Sequence, residues 1–393
     1  MSASPVVVAR YLTVGGLCGL TWAASLRGWM VQVAQGDSSS SVTWPTFGLL
    51  VLPGLTIGVL LGWSAYLRSS RTPGTRWLVL APVLFALDPE IFSALMHTGQ
   101  GGASLIVVAT ALCSGFVLSR RGWTFARAGC AVVAALGVLL LGFMGTMAAP
   151  LSTARGAWVC LFGLTLVLLL CLASVLPYQP VRRPGGVASW VALGGLCGLA
   201  WACALRSFMA EVAGSESGVE WGLTFGYILL PGALIGGLLG WAEFLRRTVG
   251  GSGRHRLAYA PLLFAAVLVP GVFDPGSFLE DGIGGGAIGV PVIAMLGGFA
   301  ISGRGPGWGR ILAGLTFSAG FLVWLLTAVS VGGASFALDT AHGLWTSTLY
   351  ESLLLTFALA ASVPHRRVER RDGQVPAATS RHHGSVVSRG GRS

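Results

Sequence analysis

Apolar runs of about twenty residues, separated by short polar stretches, recur along the whole chain. In the first half they are Tyr11–Val33, Pro45–Leu67, Trp77–Met96, Ala103–Leu118, Phe125–Ala149 and Gly156–Tyr178. In the second half they are Val187–Val212, Gly222–Leu245, Leu257–Phe273, Gly284–Ile301, Ile311–Val331 and Gly343–Val363. About 20 apolar residues cross a ~30 Å hydrocarbon core as a helix, and a buried core helix explains one or two such runs but not twelve. Lipid admits only helices or closed barrels, and none of these runs alternates with period two. The pattern predicts an all-α polytopic membrane protein with about 12 transmembrane helices. The third run is short: Trp77 to Asp88 is 11 residues, a rise of roughly 17 Å. It crosses only if the helix continues through Asp88-Pro89, and a re-entrant hairpin is the alternative.

The two halves repeat each other. Gly15-Gly-Leu-Cys-Gly-Leu-x-Trp-Ala-x-x-Leu-Arg27-x-x-Met30 recurs as Gly194-Gly-Leu-Cys-Gly-Leu-x-Trp-Ala-x-x-Leu-Arg206-x-x-Met209, 179 residues later. Phe47-Gly, Leu52-Pro-Gly and Leu60-Leu-Gly-Trp-x-x-x-Leu-Arg68 return between Phe225 and Arg246. Ala81-Pro-x-Leu-Phe returns at Ala260, Asp88-Pro-x-x-Phe at Asp274, and Thr153-Ala-x-Gly-x-Trp at Thr340. Self-similarity at a fixed spacing marks a duplicated structural unit. With an even number of crossings per copy, the repeats 1–180 and 181–364 would run parallel about an axis along the membrane normal. Secondary transporters use that symmetry. Arg10 and the apolar run behind it could pass for a signal peptide, but the matching segment 187–212 is internal, so the first segment is expected to stay.

Composition then narrows the chemistry. All 25 basic residues are Arg, against 14 acids, for a net charge of +11. Only 10% of residues are charged and mean hydropathy is +0.76, where a soluble domain carries roughly 25% charged residues. Without lysine there is no P-loop and no Schiff-base chemistry. Positive residues collect in cytoplasmic loops. With the N-terminus inside, 22 of the 25 Arg fall in inside segments. Asp37, Asp88, Glu90, Glu211, Glu216, Glu220, Asp274, Glu280, Asp281 and Asp339 all fall outside. Both termini are therefore expected in the cytoplasm, and the protein in the plasma membrane. Residues 365–393 hold seven Arg and two acids. They read as a disordered basic cytoplasmic tail, with attraction to anionic headgroups as its functional alternative.

Few motifs carry chemistry. Gly284-x-Gly286-x-x-Gly289 has the form of a dinucleotide fingerprint, but no strand precedes it. Together with Pro291 it marks a hinge candidate at the start of the tenth span, beside the plainer reading of a packing bend. Asp88-Pro89 and Asp274-Pro275 read as N-caps with Pro at the first helical position. The seven Cys all lie in spans and read as small apolar residues. No His set has metal-ligand spacing and no nucleophile–base set is visible, so enzyme activity, cofactor and metal are not expected.

Three ionisable residues within spans stand out. Arg27 shares a helix face with Gly16, Gly19 and Ala23, as Arg206 does with Gly195, Gly198 and Ala202. Small residues let helices pack closely, so both Arg are expected to point into the bundle. A structural ion pair and an anion-attracting role are equally open for them. Glu351 lies nine residues inward from His342, about 14 Å, close to the midplane, where ionisable residues are functional candidates by default. Aligning Trp158 with Trp345 sets Val159, Cys160, Leu161, Gly163 and Leu164 against Thr346, Ser347, Thr348, Tyr350 and Glu351. Ser347, Thr348 and Glu351 share a face. They give two readings: a polar pathway with Glu351 as proton or cation carrier, or a neutral Glu hydrogen-bonded to a neighbouring helix.

The expectation is a secondary transporter or permease-like protein of unknown substrate. The alternative is a non-transporting membrane partner or assembly subunit. Expected partners are the lipid bilayer, anionic headgroups at the tail and a small-molecule substrate, with no nucleic acid.

Overall fold

The computed structural model describes residues 5–34, 42–70, 75–87, 102–120, 122–178, 185–214, 217–248, 252–268 and 285–366. The two Asp-Pro pairs, Gly284 and the tail beyond 366 lie outside these residues. Among the described residues the chain is all-helical, without a strand. The α-helices are α1 (Pro5–Val33), α2 (Leu52–Ser69), α3 (Gly102–Ser119), α4 (Thr124–Phe143), α5 (Ala154–Ala173), α6 (Val187–Ala213), α7 (Leu230–Thr248), α8 (Gly285–Ile301), α9 (Gly307–Gly332) and α10 (Ala341–Ala361). The chain enters α2 and α7 through π-helical turns at Phe47–Val51 and Trp221–Leu229. Two further segments, Thr75–Ala86 and Ser252–Leu268, are 3₁₀-helices.

Among the described residues, eight helices are long and apolar enough to cross a bilayer. They are Pro5–Val33, Phe47–Ser69, Thr124–Met147, Ala154–Ala173, Val187–Ala213, Trp221–Thr248, Gly307–Gly332 and Ala341–His365. Trp77–Ala86, Ser104–Ser119 and Gly286–Ile301 are shorter apolar helices. The outer surface of the bundle is itself apolar: Phe125 on α4 is 91% exposed and Leu326 on α9 82%. Water penalises such faces and hydrocarbon does not, so a multi-pass membrane setting fits the fold.

Glycine sets the closest packing. α1 crosses α2 through Gly15 and Gly19 against Gly54, Gly58 and Gly62, and a Cβ on Gly15 or Gly58 would run into the other residue's carbonyl oxygen. α6 crosses α7 in the same way, with Gly194 and Gly198 against Gly232, Gly236 and Gly240. Only residues without a Cβ allow backbones this near. Against each crossing lies a 3₁₀ segment with a proline inside it, Pro82 or Pro261. Proline removes an i→i−4 hydrogen bond and clashes with the carbonyl four residues back, which disfavours α geometry there. A 3₁₀-helix rises about 2.0 Å per residue, so Ser252–Leu268 extends over about 34 Å. Phe85 packs on Trp22 at 5.5 Å between ring centroids, and Phe264 on Trp201 at 5.6 Å.

The Thr-Ala-x-Gly-x-Trp motifs open α5 and α10. Thr153 and Thr340 cap them, accepting from the amides of Gly156 at 3.1 Å and Gly343 at 2.9 Å. At both glycines the preceding loop passes so close that a Cβ would strike carbonyl oxygens of Pro150 or Ala337. The motif tryptophans, Trp158 and Trp345, are 0% exposed and lie in the main core beside Phe162, Leu349 and Leu353. Four indole N–H groups donate to helix carbonyls: Trp22 to Leu166, Trp29 to Val159, Trp201 to Leu353 and Trp345 to Ala24, all at 2.8–3.1 Å. A helix carbonyl keeps a second lone pair for such a donor.

Gly58→Val places a branched side chain against the Gly15 backbone, an overpacking that costs about 1–3 kcal/mol. The purified variant should melt several degrees below wild type. Gly286→Ala, where a Cβ would meet nothing within 4 Å, should leave the midpoint unchanged.

Candidate functional site

α1, α5, α6 and α10 meet along the middle of the bundle, and at one end their polar residues converge. Gln32, in the last turn of α1, donates from Nε2 to Glu211 Oε1 at 3.1 Å, in the last turn of α6. The other Glu211 oxygen lies 3.2 Å from His342 Nε2, in the first turn of α10. Arg155, in the first turn of α5, donates from Nη2 to the Gln32 carbonyl at 3.2 Å. Arg27, one turn deeper on α1, lies within electrostatic reach of Glu211. A single carboxylate thus ties three helix ends together, and a fourth joins through Arg155.

Both span arginines lie inside the bundle, Arg27 at 9% and Arg206 at 5% exposure. Arg206 donates to Ser217 Oγ at 3.1 Å and to the Gly218 carbonyl at 2.5 Å, which ties α6 to the loop that follows it. Its guanidinium also sits 5.4 Å from the Trp158 ring centroid, where a cation is attracted to the π face. Beside this cluster, Gln32 Oε1 and His342 Nδ1 are buried without a hydrogen-bond partner among the described residues.

The α10 residues divide into two groups. The Ser347 hydroxyl accepts from Trp324 Nε1 at 3.1 Å, and Tyr350 packs on Trp324 and Phe208, each at 5.1 Å between ring centroids. Thr348 donates back to the Leu344 carbonyl at 2.7 Å. Glu351 is half-buried, and its Oε1 is enclosed without a partner among the described residues. Ser347 and Tyr350 are therefore gathered around Trp324, while Thr348 satisfies itself locally. Gly286 and Gly289 sit in the first turns of α8, which runs on unbroken through Pro291, and a Cβ on either glycine meets nothing within 4 Å.

Gln32, Arg155, Glu211 and His342 are the members of the cluster that motif reading passed over, because no chemical signature contains them. A positional signal was present. Gln32 and Glu211 each follow their span arginine by five residues, and Arg155 and His342 each follow a capping Thr by two. All four therefore occupy matched places in the repeated motifs with different residue types. No family model, curated protein or solved structure matches the chain.

Because Gln32 and Glu211 act on each other, removing both should cost little more than removing one. Gln32→Ala and Glu211→Ala are each expected to lower stability on the order of 1 kcal/mol. The double variant should melt near the worse single variant, and fully additive shifts would mean the contact is not formed.

Proposed function

We propose that this protein is a multi-pass secondary transporter of the plasma membrane, with two parallel six-helix repeats at 1–180 and 181–364. The observation that carries the reading is the Gln32–Glu211–His342 network, in which polar side chains from both halves of the chain, two of them ionisable, meet at one end of their shared interface. Carriers with repeated halves work by rocking one against the other around a fixed site, and a hydrogen-bonded polar contact can part and re-form where a packed apolar one resists. The recurrence of contacts supports the duplication. Trp22 bonds Leu166 as Trp201 bonds Leu353, and the glycine crossings correspond at a spacing of 178 or 179 residues. On this reading the 3₁₀ segments, α3 and α8 complete six crossings per half. The arginine bias puts both termini in the cytoplasm, and the polar cluster then closes the outer end. Glu351 is the proton or cation carrier, with Arg27 and Arg206 drawing an anionic group toward the outer opening. The substrate is a small molecule of unidentified class, and no catalytic step is assigned.

One observation favours the other reading, a non-transporting membrane partner. The centre between the halves is filled by Trp158 and Trp345, and the apolar cavity described below lies within the second half and does not include Glu351.

Metabolite uptake compared between a deletion strain and its complemented parent tests transport directly. At least one metabolite should accumulate differently. Reconstituted Glu351→Gln, which keeps the shape but cannot ionise, should lose about tenfold or more of that uptake together with its pH dependence. Wild-type uptake by this variant would make Glu351 structural. Reporter fusions at Gly185 and after Ser393 should both report cytoplasm, and an external signal at either would overturn the topology.

A further inference from the structure

An apolar cavity of about 280 Å³ lies between α6, α7, α10 and the 3₁₀ segment Ser252–Leu268. Along α7 it runs from Gly232 to Glu243, a rise of about 16 Å, with Trp201 toward its inner part and Trp190 and Val363 toward its charged end. Its lining runs from Trp190 to Trp201 on α6 as well, so it is a slot along both helices.

Charge gathers at the Glu243 end. Glu243 accepts from Arg246 Nε and Nη2, both at 2.7 Å, and from Arg247 Nε at 2.5 Å. The Arg247 guanidinium also lies 4.7 Å from the Trp190 ring centroid. One carboxylate therefore serves two guanidiniums and has no charge left for a third. That third is Arg254, in the first turn of the 3₁₀ segment, outside the residues that line the cavity but within the field of Arg246. It is 3% exposed, and its Nε and Nη1 have no hydrogen-bond partner among the described residues. The charges acting on it are those of Arg304 and Arg246, and His365 lies within its field. A buried guanidinium facing like charges is costly unless an anion joins it. The aligned positions in the first half are Ala65 for Glu243 and Ser69 for Arg247. The same glycine crossing forms there without the Glu243 and Arg247 charges, so helix packing does not demand that pair.

We propose that this cleft binds a glycerophospholipid with an anionic headgroup. One acyl chain lies in the slot along α7, and the phosphate accepts from Arg254, with Arg304 beside it. Guanidinium forks match phosphate oxygens in geometry and charge. The tail covers an apolar wall that a soluble phosphate would leave bare, which is why a lipid and not free phosphate is assigned. The site rests on the membrane setting of the helices and not on transport, so an uptake assay and a lipid-binding assay fail independently.

The test uses full-length protein in neutral detergent, titrated separately with phosphatidylglycerol, phosphatidylcholine and inorganic phosphate. Bound lipid is read by native mass spectrometry and stabilisation by the melting midpoint. Phosphatidylglycerol should bind about tenfold or more tightly than phosphatidylcholine, and Arg254→Gln should weaken it by a similar factor. Cys197→Phe, which fills the slot from α6, should lower retention of both lipids. Arg304→Gln, at an exposed position, gives the same headgroup readout if Arg254→Gln does not fold. Equal binding of the two lipids would overturn the site, as would phosphatidylglycerol binding unchanged by the slot-filling and arginine variants. Inorganic phosphate alone reproducing the stabilisation would assign the arginines to a soluble anion and remove the lipid.

Discussion

Backbone contact at the two glycine crossings governs where the other elements can lie. With Gly15 against Gly58 and Gly194 against Gly236, α1–α2 and α6–α7 become paired units with almost no side-chain layer between them. The side chains displaced from that seam are directed outward from it. Trp22 and Trp201 reach the 3₁₀ segments and the carbonyls of α5 and α10, so each pair is tied to its neighbours by one indole. Dispersion acts over short distances and is lost quickly as a gap opens. A single methyl group at the seam would therefore be felt well beyond the seam itself.

Helix carbonyls satisfy several of the polar side chains in the interior. Indole N–H groups use the spare lone pair of helix carbonyls, so a buried donor is satisfied while the helix keeps its own ladder. Trp345 does this with Ala24, but the aligned Trp158 has an indole N–H without a hydrogen-bond partner among the described residues and a guanidinium near its ring instead. The centre of the bundle is thus less symmetric than its glycine seams. The charged groups follow the same division: α6 and α7 carry Glu211 and Glu243 where the aligned residues are Gln32 and Ala65.

Much of the architecture was legible in the chain because it rests on patterns that hydrocarbon enforces. Helical character follows from the length and uniformity of the apolar runs, and the small-residue faces beside Arg27 and Arg206 pointed to close packing. The Thr-Ala-x-Gly-x-Trp motif became interpretable once its parts were separated into a cap, a place for a passing loop and a core side chain. The 3₁₀ segments were not legible. Ala-Pro inside an apolar run allows a break, a kink or a change of pitch, and tertiary packing chooses among them. The Gln32–Glu211–His342 contact was hidden for a different reason: its members sit at helix ends, where polar residues are ordinary, and only their shared partner makes them distinctive. Glu351 was conspicuous by depth, yet its neighbours Ser347 and Tyr350 turn toward Trp324, which sequence spacing alone does not specify.

Ser252–Leu268 has one more consequence. At three residues per turn its side chains stand in straight columns, and Ala258, Pro261 and Phe264, three apart, form one buried column facing the bundle. Wound instead at 3.6 residues per turn, the same seventeen residues would reach only about 26 Å. The 3₁₀ winding, which Pro261 favours over α geometry, therefore holds the segment about 8 Å longer than an α-helix of the same residues. Arg254 lies near one end of this ruler, so the pitch of the backbone sets the depth at which that buried positive charge sits.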